Sequence, residues 1–268
     1  MTITPITRYA SAALVGTALT LTAKAATTVY SAGDLFIGFH QAGTNSDYLV
    51  DIGQASNFTG MDPNTSTTLV LGNIAADLTG VFGSNWATDP TVQWGIVGTT
   101  HLSTVGSDGP GTVYASRQGN AWTTTPWNDA FVLSTADSKI SSMASSYRNK
   151  TSSTNSPVGL IQTNITTSSN NAYGSYQPGG VNAGAGNLSF GYFNPTIEAS
   201  GANGITDSNN ASLALFRLIQ GDSNPAQPEG TFYISNGGTV SYTSVPEPAS
   251  TALGLIGITL MIVRRRRI

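Results

Sequence analysis

No cysteine occurs anywhere in this chain of 268 residues, which excludes thiol catalysis, thiolate metal sites and disulfide staples together. Whatever folds must therefore be held by packing and hydrogen bonds alone. Charge is scarce as well: Asp, Glu, Lys and Arg make up 9% of the residues, against about 25% in ordinary domains. The two histidines, His40 and His101, are far apart and belong to no HExxH pattern. There is no G-x-S-x-G elbow, so no local pattern nominates a Ser-His-Asp site, although composition alone leaves one open. Gly184-Ala185-Gly186 lacks the further glycine of a dinucleotide loop. Asp207-Ser208-Asn209-Asn210 lacks the glycine and distal glutamate of an EF-hand and reads as a solvated Asx turn. No repeat of fixed period is present, which argues against a propeller or solenoid. Neither a cofactor nor a metal is expected.

What the chain has in abundance is Ser and Thr, roughly a quarter of all residues, with 30 glycines. That composition suits short strands joined by turns and fits poorly with a helical bundle. The two ends differ from the middle. Arg8, the apolar run from Ala10 to Leu21 and the Ala23-Lys24-Ala25 site have the layout of a secretory signal peptide, with cleavage expected after Ala25. At the other end Val245-Pro246-Glu247-Pro248 is followed by the uncharged stretch Ala249 to Val263 and then by Arg264, Arg265, Arg266 and Arg267. Pro246 and Pro248 fix φ and donate no backbone hydrogen bond, so this hinge resists both helix and sheet. The apolar stretch of 15 residues is shorter than the roughly 17–25 of a usual spanning helix, and snorkelling arginines extend it at one end. Positive flanks are retained in the cytoplasm, so the four arginines read as a stop signal.

This order of hinge, apolar span and arginine cluster resembles the PEP-CTERM sorting signal of Gram-negative bacteria. The resemblance implies recognition and processing by a membrane protease of the exosortase family, after export through the secretion machinery and a transient stay in the inner membrane. Residues 1–25 then form the signal peptide, 26–245 a secreted β-rich domain and 246–268 the sorting tail, with the product at the cell surface or outside the cell.

Removing both ends changes the electrostatics. The whole chain has a formal charge of −3, from 14 acids and 11 bases. Residues 26–245 keep 13 of the acids and 5 of the bases, a net of −8. Such a body repels phosphate backbones, which argues against a nucleic-acid partner.

Within the body, alternation places strands at Asp34 to His40, with Leu35, Ile37 and Phe39 on one face, and at Tyr48 to Ile52 after a turn over Gln41 to Ser46. Further strands are expected near Leu69 to Leu71, Val92 to Val97, Thr112 to Ser116, Leu213 to Ile219, Thr231 to Ile234 and Thr239 to Tyr242. Asn236-Gly237-Gly238 is a hairpin turn signal, and Asn224 to Gly230 reads as a Pro-rich turn. Ile74 to Phe82 reads as a short helix stopped by Gly83; a second is expected from Ser134 to Tyr147, capped at Ser134 or Thr135, with Ile140, Met143 and Tyr147 on one face. Residues 148–186 are polar and read as a long loop or a set of weak strands. The expected fold is mainly β, a single β-sandwich-like domain with one or two short helices.

Three body segments, Gly33 to Phe39, Asp47 to Gly53 and Gly230 to Ile234, are similar to those of exported PEP-CTERM proteins from Verrucomicrobia and related bacteria. That resemblance implies no enzymatic activity. Three function classes follow. The first is a structural or adhesive component of the cell surface or extracellular matrix, and not an enzyme. The second is a carbohydrate-binding module contacting exopolysaccharide through Trp122 and Trp127, which lie in a polar loop, whereas Trp94 sits mid-strand and is expected in the core. The third is a secreted hydrolase using a carboxylate pair that no spacing identifies.

Overall fold

Alternation decides the first hairpin. In β1 (Asp34–Gln41) and β2 (Ser46–Gln54), Leu35, Ile37, Phe39, Tyr48 and Val50 point to one face, while Phe36 and Leu49 point to the other. The two strands pair antiparallel, and Thr44 closes their turn by donating its backbone N–H to the Gln41 carbonyl at 3.1 Å. The computed structural model describes residues 30–59, 61, 66–118, 130–147, 159–163, 171–183, 187–191, 193, 197–199, 204–206, 211–219 and 226–244.

Seven more strands follow: β3 (Thr68–Asn73), β4 (Val92–Thr99), β5 (Val113–Arg117), β6 (Gly159–Thr163), β7 (Ser212–Leu218), β8 (Gln227–Ile234) and β9 (Thr239–Ser244). All nine join one antiparallel sheet in the order β3-β9-β8-β7-β5-β4-β1-β2-β6. The mainly β class and the pair of helices match the expectation. The sandwich-like layering takes the form of one curled sheet rather than two facing ones.

Each face of the sheet carries its own core. On one face α1 (Ala75–Phe82) contributes Leu78 and Phe82 to a cluster with Trp94, Tyr48, Phe232 and Tyr242. Gly83, at φ 84°, ends this helix as its sequence position suggests. On the other face α2 (Ala130–Tyr147) lays Leu133, Ala136, Ile140, Met143, Ala144 and Tyr147 onto Phe36, Val97, Ala115 and Phe216. That stripe recurs at helical spacing, and each large apolar side chain buried there contributes about 1.5–3 kcal/mol. Strands whose residues alternate between two apolar environments must be covered on both faces, which the two helices and the loops achieve.

Three expectations needed revision. Helix α2 begins at Ala130, so Ser134 and Thr135 are interior residues and not caps. Strand β8 begins at Gln227, inside the expected Pro-rich turn; Pro228 is tolerated because it faces a bulge where the β7–β8 register shifts. The polar run 148–186 holds β6 and a 3-10 turn at Tyr173–Tyr176 whose four residues are all buried.

Candidate functional site

The candidate site is built on two glycines. Gly38 in β1 and Gly95 in β4 lie opposite each other in the register. With no side chains on that face, a slot opens in which the ring of Tyr173 lies. A Cβ at Gly38 would overlap that ring, and one at Gly95 would come within 2.7 Å of the Tyr173 hydroxyl and 3.2 Å of Glu198 Cγ. The Tyr173 hydroxyl donates to Glu198 Oε1 at 2.8 Å, and His40 Nδ1 donates to the same oxygen at 2.9 Å. Asp47, the cross-strand partner of His40, accepts the Gly174 backbone N–H at 2.8 Å. All four residues are buried, with His40 4% and Glu198 2% exposed.

Burial at this depth governs protonation. Desolvation pushes the Asp47 carboxyl up to about 7, against the opposing pull of the Gly174 N–H and of His40. For His40 burial alone would depress the pKa, but the carboxylate of Glu198 and then that of Asp47 outweigh it and raise it above the ordinary 6.5. The Tyr173 hydroxyl is raised well above its usual range, first by burial and then by Glu198, and stays a donor.

Beside this cluster lies a cavity of about 210 Å³, bounded by His40, the turn 41–45, Gly174 and the segment 178–180. With Nδ1 held by Glu198, the Nε2 edge of His40 has no hydrogen-bond partner among the described residues. Asp47 Oδ1 and both amide atoms of Gln177 are buried and likewise lack one there.

His101 forms a second histidine–carboxylate pair, with Nδ1 2.9 Å from Asp137 Oδ2, while Thr99 donates to the other oxygen. It sits at φ 49°, strained for a residue with a Cβ, and borders an open trough of about 510 Å³ with Ser138, Ser142 and Ser146. Those serines donate back to the main chain of α2, to Ser134 O, Ser138 O and Met143 O, so their hydroxyls are committed to the helix. Arg217 makes a third cluster, reaching Asp108 at 2.7 Å and Glu229 at 3.0 Å. Among the described residues no group of three His, Asp or Glu is placed to hold a metal ion, and no helix is long and apolar enough to cross a membrane.

Of the residues singled out from sequence, Trp94 is fully buried, as expected, and Trp86 is 4% exposed. Trp122, Trp127, Ala23, Ala25, Val245 to Pro248 and Arg264 to Arg267 lie outside the described residues, as do Asp207 to Asn210. No spacing or motif pointed to a contact between His40 and Glu198, which are 158 positions apart. The available signals were a glycine inside a strongly apolar strand and an aspartate opening the apolar run Tyr48-Leu49-Val50.

The C-terminal boundary is sharp. Strand β9 ends at Ser244, whose N–H donates to Thr67 O and whose hydroxyl accepts the Thr67 N–H, both at 3.0 Å. Residues 244–267 match the family model of the PEP-CTERM protein-sorting motif. The chain carries a PEP-CTERM protein-sorting motif at its C-terminal end. That motif implies an exosortase-sorted exported protein, membrane-anchored as a precursor and then carried to the surface. The sorting motif takes over at the residue where the sheet stops. No curated protein and no solved structure matches the chain.

The buried acids set a pH dependence. Asp47 and Asp51 are both raised to about 7, Asp51 by burial and then by the carboxylate of Asp34, itself raised mainly by burial. Folding thus favours their protonated forms, and so the stability they contribute is complete below the ordinary 3.8 and is lost as pH rises to about 7. His40 acts in the same direction, its contribution present below 6.5 and lost as pH rises through its raised folded value. The unfolding temperature should fall between pH 5 and pH 8, and Asp47→Asn with Asp51→Asn should flatten that slope. A midpoint that rises with pH over the same range would contradict these protonation states.

Proposed function

We propose that the mature body is a structural or adhesive component of the cell surface or extracellular matrix and carries no enzymatic activity. One observation supports this above the others. The described histidines, the side chains best suited to act as bases near neutral pH, are each tied through Nδ1 to a buried or half-buried carboxylate, and no hydroxyl nucleophile hydrogen-bonds to the remaining nitrogen among the described residues. Arg217 is likewise spent on Asp108 and Glu229. These ionisable groups act as ties between strands and loops, in a body whose sequence is rich in Ser and Thr and carries a net charge of −8. Exopolysaccharide is the partner that such a composition and such a destination suit.

A strain lacking the chain and complemented with it should return the processed protein to the washed extracellular polymer fraction. The purified protein should give no turnover on polysaccharide, peptide or ester substrates. Turnover that disappears in His40→Ala or His101→Ala would replace this reading with a hydrolase. Release of all the protein into the free medium would remove the adhesive role.

A further inference from the structure

We propose that the cavity at His40 is a binding site for one neutral sugar unit of a polysaccharide, held by the His40 imidazole edge, the Asn45 amide and main-chain groups of two glycine-rich loops. This deepens the adhesive reading and rests on it. The wall of the cavity is His40 at the end of β1, the turn Gln41 to Asn45, and Gly174 with Pro178, Gly179 and Gly180. Four of these residues are glycines, so the main chain comes to the surface with no side chain in front of it; the N–H groups of Gly174, Gly179 and Gly180 are spent on Asp47, Asn187 and Gln177 O, so carbonyl oxygens are what these positions offer. Gly180 is fixed in that place, because a Cβ there would overlap the main chain of Gly174 and Ser175.

The donors and acceptors are held rigidly. Glu198 fixes the tautomer and orientation of His40 by taking Nδ1, which leaves Nε2 as the ring's group for the cavity. Thr44 is tied to Gln41 O through its hydroxyl at 3.0 Å, which stiffens the rim. Asn45 is exposed on that rim, and its amide offers both donors and an acceptor. Behind the wall, Asp47 Oδ1 and the Gln177 amide are fully buried polar atoms with no hydrogen-bond partner among the described residues. A native fold keeps few such atoms.

Ligand class follows by elimination. Among the described residues no lysine or arginine lines the cavity, and the body carries a net charge of −8, so an anion finds only His40 there and meets long-range repulsion. Only Ala42 and Pro178 are apolar, which is too little for a lipid chain or a hydrophobic peptide side chain but suits the C–H face of a sugar ring. At about 210 Å³ the cavity lies below the roughly 300–1,000 Å³ of sites for drug-sized ligands, so it takes a single unit and not an extended oligomer. Adjacent hydroxyls are both donors and acceptors, which matches imidazole, amide and main-chain groups converging on one small space.

The presence of two histidines makes the test direct. Full-length protein labelled with nitrogen-15 histidine is titrated with glucose, galactose, mannose and N-acetylglucosamine, and separately with inorganic phosphate, while the ring resonances are followed by NMR. A saturable shift of the His40 resonances with at least one sugar, with His101 unmoved, is the expected result. Asn45→Ala should weaken that sugar by about tenfold, and Asn45→Trp, which fills the rim of the cavity without touching the core, should abolish it. No saturable shift with any sugar, equal shifts at both histidines, or a shift with phosphate alone would overturn the assignment. The same variants are scored for retention in the extracellular polymer fraction. Absence of sugar binding with retention intact removes the pocket and leaves the adhesive role standing, whereas loss of retention by the wild-type protein removes the adhesive role itself.

Discussion

Alanine in place of Pro246 and Glu247 should leave the precursor whole and confined to the inner membrane, with no processed product at the surface. The expectation rests on backbone chemistry at the hinge. Proline locks φ and supplies no N–H, a chemistry that disfavours helix and sheet and suits the extended backbone a protease cleft accepts, and two prolines flank Glu247 directly after β9 ends at Ser244. The expectation from sequence is that the apolar run enters the membrane and that Arg264 to Arg267 hold the C-terminus on the cytoplasmic side, as positive flanks do. Deleting those arginines should have the opposite phenotype, with weakened retention and escape of unprocessed precursor. Intact mass of the protein from each cell fraction, in a host carrying an exosortase, separates the outcomes; normal maturation of both variants would show that the motif does not direct sorting. The released body should keep its fold, because the last ladder contacts of β9, Ser244 with Gly230 and Thr243 with Thr231, lie before the hinge.

Gly38→Ala should destabilise the body by about 3 kcal/mol, lowering its unfolding midpoint by roughly 6–12 °C. The added methyl occupies the space of the Tyr173 ring, which is fully buried and has nowhere to retreat. Moving the ring also pulls its hydroxyl from Glu198, the residue that holds His40. The buried carboxylate then loses a donor, and a charge left short of partners in the interior is costly. Gly80→Ala provides the contrast. That glycine lies on the exposed side of α1 with nothing within 4 Å of a new Cβ, so the same substitution should stabilise by about 0.5–1 kcal/mol. Thermal unfolding of the two variants checks both signs, and a Gly38→Ala protein as stable as wild type would show that the slot is not tightly filled.

Much of this molecule is written locally. The hairpin of β1 and β2 follows from Leu35, Ile37 and Phe39 alternating with Phe36 and Gly38, since a period of two has one outcome in an extended chain. Gly83 ends α1 and Gly238, at φ 75°, turns the last hairpin, because a backbone conformation open mainly to glycine is marked by glycine itself. The sorting motif is the most local feature of all, a hinge, a span and a charge cluster in fixed order, and residues 244–267 match it as a contiguous string. Recognition of a linear segment by a membrane enzyme needs nothing from the rest of the fold.

The histidine cluster is of the other kind. Its members come from β1, β2, the buried turn Tyr173–Tyr176 and a segment near Glu198, and nothing in the spacing of 40, 47, 173 and 198 brings them together. They meet because Gly38 and Gly95 fall opposite each other when β1 pairs with β4, and that register is set by the whole sheet. The same distinction explains the curled single sheet. Alternation shows that a strand has two faces, but β5 pairs with β7 and β3 with β9 only when all nine strands are present to choose partners. Sequence by itself determined most of the strands, the glycine-marked turns and the sorting motif of this protein. Tertiary structure alone decided which polar groups are taken out of water together, since the energy that shifts their protonation comes from burial, and burial is a property of the assembled fold.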